Sequence, residues 1–197
     1  MKTIRYYSTE DDRMLLIPVD DFVSKEAWNL PYDFVLEQAD QNVEIQSALY
    51  HQLLRRSKKE SDIEKLKNSK YYKKLYTNVV NGSNELEKMM LSIYFDPSLI
   101  PFLFQDMNQL VSKIINHSTS DVFPTELLDM LVKVSEFDLE DSTKEMIHQG
   151  VSSLVDKEFS MMDEYDPYST ISSKHIDMMK DKMKRHYLGK MISMKQK

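Results

Sequence analysis

Residues 85–115 read ELEKMMLSIYFDPSLIPFLFQDMNQLVSKII and form the most apolar stretch of the chain. Leu86, Met89, Met90, Ile93, Tyr94 and Phe95 recur at helical spacing and make one wide apolar face. Asp96-Pro97 closes that helix, because a residue before proline is pushed out of the α region. A second helix is expected over 98–116, apolar on most of its circumference near its start and therefore buried. These two helices are the expected core, with the others packed around them. The apolar surface around Phe102 and Phe104 exceeds what one small bundle must bury. Either the surrounding helices cover it fully, or part of it is a permanent subunit contact with Phe102 and Phe104 as its candidates.

Composition fixes the class of fold. Of 197 residues, three are glycine and six proline. Sheets and barrels need many turn residues that reach positive φ, and three glycines cannot supply them. The expectation is a mainly α protein, either an irregular multi-helix bundle or a short α-solenoid-like stack of about seven or eight helices. At the front, KTIRYYS and MLLI flank the polar break TEDDR, the pattern of an N-terminal β-hairpin. A lone hairpin is marginal in water, so it must pack on helices or pair with a partner's sheet.

Between hairpin and core the helical period runs through four segments. Asp20 and Asp21 are expected to cap a short helix to about Trp28. From Tyr32 the period continues to Leu54 and ends in the basic turn RRSKK, favoured by the helix dipole. Ser61 with Glu64 forms a capping box for a helix that reaches Asn81-Gly82, a left-handed stop. Ser83 caps the helix that enters the core stretch.

Beyond the core, Pro124-Thr125 opens a helix, and Ser142 with Glu145 boxes another that reaches Met162. Gly150 lies inside it and weakens it by about 1 kcal/mol relative to alanine. The organisation expected is a hairpin over 1–18, a helical domain over 19–162, a linker over 163–173 and a basic Met-rich helix over 174–197. In that last helix Ile176, Met179, Met183, Tyr187, Met191 and Met194 form a stripe opposite six basic residues. Methionine suits surfaces that accept varied partners. This stripe either docks on a partner or folds back into the core.

Charge is distributed in blocks along a chain of net charge −6. Segment 55–75 is basic, and Arg55, Arg56, Lys58, Lys59, Lys70, Lys73 and Lys74 are interleaved with tyrosines that can stack on bases. A nucleic-acid accessory role for this segment is the alternative to a solvated, internally paired face. The acidic balance of the whole chain weighs against a dedicated nucleic-acid protein.

Catalytic signatures are sparse. With no cysteine, disulfides, thiolate metal sites and cysteine nucleophiles are excluded. No phosphate-binding glycine loop, nucleophile elbow or His-Glu-x-x-His occurs. Glu145 and His148 have the Glu-x-x-His spacing of di-iron bundles, but such a site needs two copies and further glutamates. No cofactor is expected. The N-terminus lacks the apolar core of a secretory signal and no run approaches the ~20 residues of a membrane span. An intracellular location, cytoplasmic or nuclear, is therefore expected. The reading is a non-enzymatic adaptor or assembly subunit, acting through a protein partner or as a homo-oligomer.

Overall fold

The computed structural model describes residues 2–117, 122–165 and 173–193. The fold is mainly α, with eleven α-helices among the described residues and one N-terminal two-stranded sheet. The chain divides into two compact units, Met1–Phe95 and Asp96–Lys197.

In the first unit, β1 (Thr3–Ser8) pairs antiparallel with β2 (Arg13–Pro18), with Ile4 opposite Ile17 and Tyr6 opposite Leu15. Asp12 takes a positive φ of 51° to close the turn. Alternation puts Ile4, Ser8 and Ile17 inward and buried. Tyr6 meets Phe34 at 4.9 Å between ring centres, and Phe22 meets Phe34 edge-on at 6.1 Å. This aromatic contact holds the marginal hairpin on the helices. Phe22 is fully buried and contributes about 2–3 kcal/mol through burial alone, and the half-buried Tyr6 and Phe34 less.

Helix α1 (Val19–Ser24) and a 3₁₀ turn at Glu26–Trp28 lead into α2 (Tyr32–Gln41) and α3 (Gln46–Arg56). Asp20 and Asp21 lie in the first turn of α1 rather than capping it; Pro18 holds the N-cap position. The single helix expected from Tyr32 to Leu54 is divided. Asn42 ends α2 by donating both its backbone N–H and its side-chain amide to Gln38 O, each at 3.0 Å. A short local bond of this kind competes with continuing the helix.

Helices α4 (Glu60–Lys67), α5 (Tyr72–Asn81) and α6 (Glu85–Met90), with a π turn at Leu91–Phe95, complete the unit. Lys59, not Ser61, precedes α4, and Asn84, not Ser83, caps α6 by accepting the Glu87 N–H at 3.1 Å. Gly82 does stop α5, but its backbone is extended (φ −76°, ψ −178°) rather than left-handed. A Cβ there would stand 2.7 Å from Asn78 O, so close backbone approach is what demands glycine.

The second unit opens with a 3₁₀ turn at Pro97–Leu99 and α7 (Ile100–Phe104). The helix expected over 98–116 breaks after Phe104. Gln105 has φ 68° and ψ −53°, and the Asp106 N–H reaches back to Phe104 O at 2.9 Å. That is a γ-turn of the rare left-handed kind. Asp106 then caps α8 (Met107–Asn116) by accepting the Gln109 N–H at 2.8 Å.

Helix α9 (Pro124–Val134), α10 (Asp141–Tyr165) and α11 (Ser173–Ser193) follow, and α10 packs against α8, α9 and α11. Ser142 lies inside α10 rather than at its cap. Most of the 163–173 linker falls at 166–172, outside the described residues. Among the described residues no helix is long and apolar enough to cross a membrane.

Candidate functional site

The basic segment 55–75 is largely tied into its own unit. Arg56 donates from Nη1 to Ala27 O at 2.5 Å and from Nη2 to Leu30 O at 2.7 Å. Its guanidinium also lies 5.7 Å from the Tyr32 ring centre. Arginine's planar fork suits two carbonyls at once, and here it secures the backbone that joins the 3₁₀ turn to α2. Arg55 stacks over Trp28 at 5.1 Å, and Lys74 over Tyr71 at 4.9 Å. Lys58, Lys59, Lys70 and Lys73 are exposed. The structure therefore places these cations on α3, on α5 and in the links flanking α4, without leaving Arg56 available for phosphate.

The same unit holds two hydrogen-bonded phenols, Tyr50 buried and Tyr32 half-buried. Tyr32 Oη is 2.6 Å from Ser57 Oγ, and burial pushes its pKa up to about 12. Tyr50 Oη donates to Asp40 Oδ1 at 2.5 Å and accepts the Tyr71 N–H at 3.3 Å. Burial, then the hydrogen bond to Asp40, pushes Tyr50 up to about 12 as well. His51 Nδ1 lies 2.7 Å from Glu87 Oε1, which joins α3 to α6, and this contact holds its pKa above the usual value. These groups fasten helices together.

The solvent face of the hairpin differs. There Tyr7 lies opposite Met14 in the register, with Leu16 two residues along. Their exposures are 49%, 56% and 62%. The Tyr7 hydroxyl is tied to Asp12 in the turn.

In the second unit α11 lies on α9 and α10. Lys180 and Lys184 both approach Asp156 of α10, at 3.6 and 3.3 Å, and Lys180 sits over Phe159 at 5.9 Å. The apolar stripe changes character along the helix. Tyr187 and Met191 are buried, Ile176 and Met183 are half-buried, and Met179 is 40% exposed. Burial raises the Tyr187 pKa, reinforced by Asp129 and Glu158. Met194 lies outside the described residues.

Phe102 stands 75% exposed on α7, whereas Phe104 is buried. Phe104, Tyr187 and Met191 are thus corrected from partner-binding candidates to interior residues: each points from its helix into the core of its own unit. Sequence reasoning missed Met178, 59% exposed, because it lies off the stripe; the Met178-Met179 doublet was the available signal.

Near the C-terminal half of α11 a small pocket of about 50 Å³ is lined by Leu139, Ile147, His148, Met191 and Ile192. Sites for small molecules run to about 300–1,000 Å³, so this one suits a side chain rather than a substrate. Among the described residues, no three histidine, aspartate or glutamate side chains gather as metal ligands. No protein-family model, curated protein or solved structure matches the chain.

Proposed function

We propose that the protein is a non-enzymatic helical adaptor or assembly subunit that engages a protein partner through the N-terminal half of α11. One observation carries the reading: the α11 stripe is covered at Tyr187 and Met191 but open at Met179, with Met178 exposed beside it. A helix held in place at one end and apolar at the other presents a preformed ridge for a partner's groove. Unbranched methionines let that ridge adapt to the groove. Lys180 and Lys184, held by Asp156, orient the ridge, although exposed pairs of this kind contribute only about 0–1 kcal/mol each. Phe102 offers a second apolar contact in the same unit.

Affinity purification from the native source, with quantitative mass spectrometry, tests the reading. Met178→Glu with Met179→Glu is expected to remove the retained partner without changing the melting temperature. An identical set of co-purifying proteins with wild type and variant would sink it. Phosphate binding by segment 55–75 has weaker support, since Arg56 is engaged with backbone carbonyls and Arg55 and Lys74 with aromatic rings.

A further inference from the structure

We infer that β2 pairs with β2 of a second copy of this chain, antiparallel, to make a continuous four-stranded sheet. The Val19 N–H bonds Lys2 O at 3.1 Å, which makes Lys2 and Val19 a hydrogen-bonded pair. Antiparallel ladders alternate bonded and non-bonded pairs. Ile4–Ile17, Tyr6–Leu15 and Ser8–Arg13 therefore bond within the hairpin, while Thr3–Pro18, Arg5–Leu16 and Tyr7–Met14 do not. The N–H and C=O groups of Met14 and Leu16 consequently point away from β1, along an open edge. Pro18, which has no N–H, falls in the non-bonded set, as the register requires.

The centre of this edge carries neither charge nor bulge, and only Pro18 blunts its end. Edge strands are commonly blunted by a central charge, a bulge or a covering helix. β1 has Arg5 in its middle, whereas the outward residues of β2 are Met14 and Leu16, both mostly exposed. Beside β2 lies an open groove of about 390 Å³ lined by Leu16, Ile17, Asp21, Lys25, Glu26 and Leu30. The backbone chemistry asks for an extended strand.

A second β2 satisfies both edge and groove. Centred on Leu15, the pairing sets Met14 opposite the second copy's Leu16 and satisfies four backbone bonds across the two-fold axis. It joins the two exposed apolar strips into one. It also brings Arg13, 67% exposed and 3.7 Å from Asp11 in its own turn, opposite Ile17 beside a groove lined by Asp21 and Glu26 against the single base Lys25. The net acid charge of the groove complements that arginine. Arg5 on the outer strands then stops further growth.

Sedimentation equilibrium of the full chain reads the outcome, with wild type expected to be a dimer. Leu16→Pro removes only an outward-facing N–H, so the hairpin ladder is kept and a monomer is expected. Should that variant lose its fold by circular dichroism, Leu16→Lys and Met14→Lys retain every backbone group and are expected to raise the dissociation constant at least about tenfold. Register is read separately: in this cysteine-free chain, Leu15→Cys should form an intermolecular disulfide on mild oxidation, and Thr3→Cys should not. A wild type that stays monomeric at all concentrations overturns the inference, as does a dimer that survives the Leu16 and Met14 substitutions. Either result leaves the α11 reading untouched, because that reading is scored on a different partner and different residues.

Discussion

The Cδ1 atom of Ile115 on α8 lies 2.4 Å from where a Cβ on Gly150 of α10 would stand. Leu131 of α9 is 3.4 Å from the same point. The glycine is therefore the place where α8 enters the surface of α10.

Gly150→Ala should destabilise the second unit, by up to about 2 kcal/mol. The gain in helix propensity, about 1 kcal/mol, is outweighed by overpacking of about 1–3 kcal/mol against a stiff β-branched neighbour. Adding Ile115→Val removes the clashing methyl and should recover part of the loss. Urea melts of the single and double variants check this; a more stable Gly150→Ala would sink it.

Gln105 makes the opposite case. A γ-turn at φ 68° is strained for any residue with a Cβ, and glycine removes that strain. Gln105→Gly should stabilise by about 0.5–1 kcal/mol, even after losing the exposed bond from Gln109 Nε2 to Gln105 Oε1. Thermal melts of wild type and Gln105→Gly decide the sign.

Arg56→Lys should behave as a disruptive change. A lysine cannot bridge Ala27 O and Leu30 O together, and the loss should be about 1.5–3 kcal/mol. Lys59→Ala, three residues away and exposed, should stay within about 0.5 kcal/mol of wild type. Equal melts for the two variants would show that Arg56 has no structural part.

The His51–Glu87 contact makes stability depend on pH in a defined direction. The folded pKa of His51 is raised above its unfolded value near ~6.5. The contribution is therefore complete below that value and fades as pH rises through the folded pKa. Melting temperatures of wild type should fall relative to Glu87→Gln across that window, and a constant difference would remove the linkage.

Tyr32 and Tyr50 should ionise late, at about 12 against the ordinary 10. A protonated phenol is what the fold prefers, so its contribution holds below pH ~10 and is lost above it. Ultraviolet titration of Tyr50→Phe should lack one late step. The same variant should lose about 1–3 kcal/mol, because Asp40 and the Tyr71 N–H are left without their partner.

Period and composition disclosed the class of fold and most of its elements. The β-branched and aromatic residues of KTIRYYS and the apolar MLLI, either side of a polar break, marked the hairpin, and the scarcity of glycine marked the helices. What escaped were the interruptions after Gln41, Lys67 and Phe104; the helix expected from Ser61 to Asn81 is in fact α4 and α5. The first and last rest on single side chains, Asn42 turning back on its own helix and Asp106 capping the next, and neither disturbs the apolar period. The division at Phe95/Asp96 escaped for a related reason: it falls inside the most apolar stretch, where no polar linker announces it.

The α11 stripe was visible as a stripe, but not which half its own unit would cover. That depended on where α9 and α10 pack against α11, which the stripe itself does not show. Arg56 looked like a ligand-seeking cation because sequence shows a charge and not the two carbonyls that occupy it.

The boundary at Asp96-Pro97 has a chemical consequence. An aspartyl–prolyl peptide hydrolyses in warm dilute acid well before other peptide bonds, because the carboxyl attacks its own carbonyl and proline nitrogen is a good leaving group. Residues 166–167 form the one other Asp-Pro in the sequence. Acid would thus release residues 1–96 as a single piece holding β1, β2 and α1 to α6, so the hairpin's self-association can be weighed with α11 entirely removed.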